Sequence, residues 1–379
     1  MKLLKSAFIL FVMAGSLAAA PIDTFREASE KGDASTMRKL IKEEKVKPDS
    51  KDKDGNTPLH YSIGDVESLK LLLAQKPDLN IQNKEGETAL HHAAYFGLTE
   101  SIKLLIANKA DLNLLAKDGV PLHYAVYKGQ QYEAAKLLLE KKANPNATDH
   151  NGYSALHWAA YKGYDKMVLL LLKHRANPEI KIKKNGFTPL HLAASIGNAE
   201  ICTTLLKQRA KVDPIDNDGY TPLFRAIVNK KIDVAQVLID NKADPNHTDK
   251  KNNTLLHYAA FSGDVETTKV ILSSKKKIKI DQIGENKLSA MFIALIKGHD
   301  NIVQLLVDKG ADVNQLNSAG DTPLVWLCSK GNEKMVQFFV QKKADVNKKN
   351  KNGNTPIQVA RHFKYDNIVE FLKKNGAKE

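Results

Sequence analysis

Residues 188–197 have the sequence TPLHLAASIG, and this stretch decides the fold of the chain. Thr188 suits a helix N-cap, and Pro189 suits the first helical position because its missing N–H would have no partner there. The motif leucine, Leu190, and the two alanines share one helical face. The small alanines let a neighbouring helix come close. Gly197 favours a left-handed end to the helix. The stretch therefore predicts a short helix that packs closely against others.

A second helix is predicted directly downstream, from Glu200 to Gln208, with isoleucine and leucine on its apolar side. The polar stretch from Asp213 to Tyr220 follows and carries the turn signal Asn217-Asp218-Gly219. One unit of the pattern is therefore a helix, a second helix and a hairpin-like turn.

The same pattern returns in phase along most of the chain. With the threonine of TPLH as position zero, successive zero positions lie 31 to 35 residues apart. They are Thr57, Thr88, Val120, Ser154, Thr188, Thr221, Thr254, Ser289, Thr322 and Thr355. These ten copies resemble the ankyrin-repeat family, whose motif is T-P-L-H-x-A on two helices and a turn. The resemblance implies an all-α solenoid of helix pairs with hairpin-like turns.

The first part of the sequence has the features of an export signal. Lys2 and Lys5 precede an apolar run, Ala7 to Leu17, of 11 residues, which is too short to cross a bilayer as a helix. Small residues suited to cleavage follow. We therefore predict a signal peptide at 1–20 and a mature chain that is secreted or periplasmic, with no membrane span after signal removal.

The remaining sequence divides into a cap, an array and a second cap. Residues 21–50 have the pattern of a degenerate helical pair with one charged face, as the end of a solenoid requires. Repeats are predicted over 51–352, and 353–379 form a C-terminal capping repeat in which Gln358 replaces the usual histidine. Residues 273–287 form an enlarged, lysine-rich connection between two copies.

Two early copies depart from the pattern. The copy that begins at Thr57 is two residues short, which predicts a stunted first helix. The copy that begins at Val120 lacks a residue before its Val-Pro pair, which puts its N-cap in doubt.

The chain carries a formal net charge of +14, which favours acidic partners at low salt. Its lysines are dispersed, however, and several fall at predicted helix ends, where they complement the helix dipole. A solvated basic face is the interpretation we favour over a nucleic-acid surface. Cys202 and Cys328 occupy apolar helix positions and are predicted to be buried without forming a disulfide. We expect a monomer.

The histidines indicate a structural role rather than chemistry. Six of the 12 occupy the plus-three position of a copy, where the resemblance implies that the imidazole binds the loop and holds the Thr-Pro turn. They are His60, His91, His123, His157, His191 and His257. The sequence shows no metal-ligand spacing, nucleotide loop or catalytic triad. We predict a protein that is not an enzyme and has no cofactor and no metal.

Aromatic and lysine residues recur at the variable positions minus one, plus seven and plus eight, which the resemblance places in a concave groove and on the hairpin tips. The candidate protein-binding residues are Tyr95, Phe96, Tyr127, Lys128, Tyr153, Tyr161, Lys162, Phe187 and Tyr220. Phe261 shares the pattern, and the plus-four position adds Tyr124, Trp158 and Tyr258, which could instead fill space between helices. Aromatic side chains are common anchors of protein interfaces.

These patterns favour an exported, non-enzymatic scaffold that binds another protein, one with acidic groups, through an aromatic and basic concave face. Two alternatives stay open: a structural or protective scaffold of the cell envelope, and a basic polyanion-binding protein. Steep loss of binding with salt would favour the polyanion, whereas a partner retained at high salt would favour the aromatic groove.

Overall fold

The computed structural model describes residues 20–127 and 131–378. The predicted signal peptide lies outside the described residues apart from Ala20, and so does Lys128. The chain forms two compact units, one ending at His150 and one beginning at Asn151.

The first unit consists of helix pairs. Its helices are α1 (Pro21–Glu30), α2 (Ala34–Lys42), α3 (Pro58–Ser62), α4 (Val66–Ala74), α5 (Ala89–Phe96), α6 (Thr99–Ala107), α7 (Pro121–Tyr127) and α8 (Tyr132–Glu140). The first helices of successive pairs pack on one another, and so do the second helices. The predicted helical pair within 21–50 is present as α1 and α2.

The second unit continues the pairs. Its helices are α9 (Ala155–Lys162), α10 (Asp165–Lys173), α11 (Pro189–Ile196), α12 (Ala199–Lys207), α13 (Pro222–Val228), α14 (Ile232–Asp240), α15 (Leu255–Ser262), α16 (Val265–Leu272), α17 (Ala290–Lys297), α18 (Asp300–Asp308), α19 (Pro323–Lys330), α20 (Glu333–Gln341), α21 (Pro356–His362) and α22 (Asp366–Lys374). A short 3-10 helix, Glu285–Lys287, precedes α17. The described chain contains isolated β-bridges but no strand, so the predicted all-α repeat solenoid is confirmed.

Local sequence sets the helix bounds as the pattern predicts. Thr188 is the N-cap of α11, which begins at Pro189, and Gly197 ends the helix with a positive φ of 92°. The short copy that begins at Thr57 has a first helix of 5 residues, where α5 in the next copy has 8. The predicted stunted helix is therefore confirmed.

Five of the plus-three histidines join their copy to the next. The backbone N–H of Thr188 donates to Nδ1 of His191 over 3.2 Å, and His191 Nε2 lies 3.0 Å from the carbonyl oxygen of Tyr220 in the following turn. A carbonyl oxygen only accepts, so Nε2 carries the proton and Nδ1 is free to accept. His60, His91, His157 and His257 make the same pair of contacts. The predicted structural role of these histidines is confirmed.

A second set of bonds between copies uses short polar side chains. Asn80 Oδ1 accepts the backbone N–H of Asp111 over 2.9 Å, and Asn113 Oδ1 accepts that of Asn144 over 2.8 Å. In the second unit, Asn314 Oδ1 accepts the N–H of Asp345 over 2.9 Å. Each of these bonds joins residues 31 positions apart and satisfies a loop N–H group.

The apolar core lies between the helix pairs and is continuous along each unit. Phe224, Phe292 and Phe339 are fully buried in the second unit. Cys202 and Cys328 are buried and unpaired, as predicted, and burial raises the pKa of each thiol to about 12. Both cysteines therefore act as small apolar residues.

A lysine or arginine with a left-handed backbone conformation follows the end of several second helices. Lys109 has φ 74°, whereas the corresponding position before Ala311 is Gly310. The same conformation occurs at Lys142, Arg175, Arg209, Lys242 and Lys343. A side chain with a Cβ is strained in this region, by about 1–2 kcal/mol.

Lys109→Gly should therefore stabilise the protein. We expect a gain of about 0.5–1 kcal/mol in the free energy of unfolding, because the relief of strain exceeds the entropy that glycine loses on folding. Urea unfolding of the full chain measures it. As the matched control, Lys103→Gly inside α6 should instead cost about 1 kcal/mol. A loss at both positions would show that Lys109 is not strained.

Burial makes the bridging histidines sensitive to acid. It lowers the pKa of His60, His91 and His191 from 6.5 to about 4. Nδ1 accepts a backbone N–H, and a protonated Nδ1 would point its own N–H at that group. Protonation therefore breaks this hydrogen bond of the bridge. Between pH 6.5 and 4 the unfolded chain binds protons that the folded chain does not. Protonation of these histidines therefore leaves the free energy of unfolding undiminished above pH 6.5 and lowers it as the pH drops toward 4.

His91→Gln should weaken this acid dependence. In the last copy Gln358 already accepts the N–H of Thr355 over 2.9 Å. Glutamine can therefore make the capping hydrogen bond of the histidine without adding a group that titrates. The unfolding free energy lost between pH 6.5 and 4 should be smaller by about 3 kcal/mol in the variant. Urea unfolding across that range tests it. An unchanged pH dependence would mean that His91 does not carry it.

Candidate binding surface

Of the candidate residues of the first unit, Phe96 lines a notch and packs against Tyr95. Tyr95 and Phe96 form an edge-to-face ring pair with centroids 5.0 Å apart, and the side chain of Phe96 is 58% exposed. A cavity of about 490 Å³ lies beside Phe96 and is also lined by Tyr61, His92 and Leu98. The shortened helix α3 borders this notch through Tyr61.

A hydrogen-bonded histidine–carboxylate pair lies at the same notch. His92 Nε2 lies 2.8 Å from a carboxylate oxygen of Glu87. The hydrogen bond from His92, reinforced by its charge and by Asn83, lowers the pKa of Glu87 to about 2. Glu87 is therefore ionised at neutral pH and is already held by side chains of this unit.

In the second unit, Tyr153, Trp158 and Tyr161 form one aromatic cluster. Tyr153 stacks on Trp158 with centroids 5.0 Å apart, and Trp158 meets the edge of Tyr161 at 6.3 Å. Tyr161 is 48% exposed, and Nζ of Lys162 lies 5.9 Å from its ring centroid. Tyr153 is half-buried, so the exposed part of this cluster is Tyr161 with Lys162.

Phe187 and Tyr220 are joined by an arginine that the sequence analysis did not single out. The guanidinium carbon of Arg225 lies 4.7 Å from the ring centroid of each. Arg225 also donates to the carboxylates of Asp216 and Asp218, each over 2.7 Å. The arginine is thus held by two rings and two carboxylates, and it fixes the tip of this turn.

An apolar groove of the second unit begins at Tyr220. Its volume is about 680 Å³, and its apolar walls are Tyr258 and Phe261 of α15 and Ile293 and Ile296 of α17. Phe261 is 62% exposed and Ile296 is 47% exposed. These residues occupy the plus-four and plus-seven positions of neighbouring copies, which explains why the groove is continuous from one copy to the next.

The acidic groups of the groove are held within the protein. Tyr258 donates to Asp249 over 2.8 Å, and Lys251 pairs with Glu285 at 3.0 Å. Burial raises the pKa of Asp249, but the hydrogen bonds from Tyr258 and nearby amides outweigh it and leave the pKa below its usual value. Asp218 is bound by Arg225.

Two lysines of the groove, Lys250 and Lys297, differ from Lys251 in having no carboxylate partner in the described chain. Lys250 Nζ donates to the carbonyl oxygen of Asn217 over 2.9 Å, and Lys297 Nζ lies 4.3 Å from the ring centroid of Phe261. Within the described chain neither amino group forms an ion pair. The groove therefore combines an apolar lining with two cationic groups at its border.

The structure brings together only some of the predicted residues. Tyr95 with Phe96, Tyr153 with Tyr161 and Lys162, and Phe187 with Tyr220 form three local groups. Tyr127 is 48% exposed and belongs to the first unit, while Lys128 lies outside the described residues.

The sequence analysis missed Ile293, Ile296 and Arg225. Its signal was restricted to aromatic side chains at the variable positions, whereas these residues are aliphatic or charged. A search for any large apolar residue at plus four and plus seven would have found both isoleucines.

Residues 20–127 and 131–378 contain no cluster of three or more His, Cys, Asp or Glu side chains placed to hold a metal ion. No helix within these ranges combines the length and apolar character needed to cross a membrane.

The chain is a repeat protein of the binding-scaffold class. Its tandem helix pairs, bridging histidines and variable groove residues are the features of that class. The profile of the ankyrin repeats, described as three copies, matches residues 25–116, 62–149, 115–182, 176–249, 238–317 and 313–379. The chain therefore belongs to the ankyrin repeat family, whose members are in general non-enzymatic scaffolds that bind proteins.

Curated relatives share part of the array. The chain is 35% identical over 87 residues to Notch-regulated ankyrin repeat-containing protein A of Danio rerio, which is 22% of this chain and 78% of the relative. It is 35% identical over 78 residues to the Xenopus tropicalis protein and 34% identical over 78 residues to the Homo sapiens protein. Each of these matches covers 19% of this chain and 68% of the relative.

Proposed function

We propose that this chain is an exported scaffold that binds another protein through the groove between α15 and α17. The observation that carries the proposal is the apolar lining of that groove, with Phe261 and Ile296 largely exposed. Exposed aromatic and aliphatic side chains in a concave site are the usual anchors of a protein interface.

The groove suits a partner segment of defined chemistry. Its acidic groups are engaged by Tyr258, Lys251 and Arg225, so they offer little to a basic ligand. Lys250 and Lys297 stand at its border without a carboxylate partner in the described chain. A partner with an apolar side chain flanked by carboxylates would fill the lining and pair with both lysines.

The candidate residues found from the sequence extend the proposal beyond this groove. Tyr127 and Tyr161 share the plus-seven position of their copies, and each is 48% exposed. Both are therefore accessible to a partner, and we propose each as a further contact residue within its own unit. The half-buried Phe187 and Tyr220 instead support the turn through Arg225.

Export is proposed from the order of charged, apolar and small residues at the start of the chain. The mature protein should begin near Ala19 to Pro21, and N-terminal sequencing of the native protein measures this. A native protein that still carries Met1 to Leu17 would contradict export with cleavage.

Loss of the groove anchors should weaken partner binding without loss of folding. The partner is first recovered by crosslinked pull-down with the full chain from its native compartment. Phe261→Ser with Ile296→Ser should then weaken affinity by about 2 kcal/mol or more, the usual scale for interface anchors. Tyr127→Ala and Tyr161→Ala test these two tyrosines in the same assay.

The matched control removes exposed leucines elsewhere. Leu169 and Leu316 are 49% and 46% exposed, and changing both to serine should leave affinity unchanged. Thermal melts of all variants report folding. Unchanged affinity in the Phe261 and Ile296 variant with an intact melt would exclude the groove. Binding lost steeply with salt but insensitive to both anchor pairs would favour polyanion binding instead.

A further inference from the structure

The connection between α16 and α17 concentrates its lysines in a short stretch. Four lysines stand within five residues, at positions 275, 276, 277 and 279, and Lys287 follows. All five side chains are exposed. This segment also completes the longest step between copies, 35 residues, and added loop residues in repeat proteins often belong to a binding face.

The backbone of this lysine segment is held in place. Asn246 Oδ1 accepts the N–H of Lys279 over 2.7 Å, and Asn246 Nδ2 donates to the carbonyl oxygen of Lys277 over 2.9 Å. The lysines are therefore presented from a fixed backbone rather than from a free coil.

The acidic groups of the segment do not neutralise these lysines. The carboxylate of Asp281 accepts the N–H of Asp312 over 3.0 Å, and Glu285 pairs with Lys251 at 3.0 Å. No ion pair within the described chain involves lysines 275, 276, 277 or 279. The segment is consequently a concentrated patch of positive charge.

Apolar side chains alternate with the lysines. Ile278 and Ile280 are half-buried and Ile283 is exposed, and all three line a cleft of about 830 Å³. Leu272, Lys277, Lys279 and Lys309 also line this cleft. Lysine amino groups beside an open apolar cleft match a ligand that carries both a negative charge and hydrocarbon.

We propose that residues 275–287 and this cleft form a contact site for the anionic phospholipid surface of a bilayer. Lysines would pair with the lipid phosphates, and the isoleucines would contact the adjoining acyl region. The segment 273–288 contains no arginine and no aromatic residue, which are the usual means of stacking on nucleic-acid bases. A phospholipid surface would contact both the lysines and the isoleucines, whereas a nucleic acid would contact the lysines only.

Vesicle flotation of the full chain tests this site. The probes are vesicles rich in phosphatidylglycerol and vesicles of phosphatidylcholine alone. Changing lysines 275, 276, 277 and 279 to serine should reduce affinity for the anionic vesicles on the order of a hundredfold or more. Every variant carries the same apolar N-terminal stretch, so that stretch cannot account for a difference between variants.

The control variant removes equal charge from other exposed sites. It changes Lys166, Lys207, Lys334 and Lys374 to serine and should reduce affinity by less than about threefold, since these lysines are dispersed. Equal loss in both variants would overturn the proposal by showing diffuse attraction to net charge. No loss in the loop variant would overturn it as well. Should the loop variant melt early, the same positions are changed to glutamine.

Two further arms test the choice of ligand. Ile283→Ser should reduce anionic-vesicle affinity by roughly tenfold if this isoleucine enters the acyl region, whereas Leu169→Ser should not. An unchanged affinity in Ile283→Ser would contradict the apolar contact. Binding of heparin that requires the loop lysines, with no binding to anionic vesicles, would make this a polyanion site and contradict the lipid assignment.

Discussion

The hydrogen-bonded bridge through each plus-three histidine is the interaction on which the rest of the structure depends. Nδ1 accepts the N–H that precedes the first helix, and Nε2–H donates to a carbonyl oxygen of the next turn, as His191 does between Thr188 and Tyr220. One buried side chain thus closes a helix start and sets the position of the neighbouring copy. Each copy packs chiefly on its neighbours. The array therefore also extends through copies in which buried Phe224, Phe292 or Val325 replaces the histidine.

Fixed positions and binding positions are largely separate in this design. The threonine, histidine, leucine and alanine of the motif are buried, whereas Phe261 and Ile296 are exposed at the plus-seven position. Surface residues can therefore change without loss of the core, which is how one fold serves unrelated partners. The lysine segment 275–287 is likewise a surface that can vary without loss of the core, and it lies in a turn rather than in a groove.

Sequence periodicity was sufficient for the fold because each helix start and end has a local cause, as Thr188 and Gly197 show for α11. It was less informative about the surface. Ile296 was missed because exposure depends on which residue the next copy places opposite, and an aliphatic residue looks like core. The role of Arg225 depends on rings and carboxylates that come together only in the folded turn.

Hydrogen exchange on the full chain with His191→Ala tests the bridge most directly. If the histidine couples neighbouring copies, backbone amides should exchange faster both in α11 and α12 and in α13 and α14, which lie on the two sides of the bridge. The remote pair α1 and α2 should keep its protection. Faster exchange confined to α11, with α13 and α14 unchanged, would show that the bridge caps one helix only and would contradict this account.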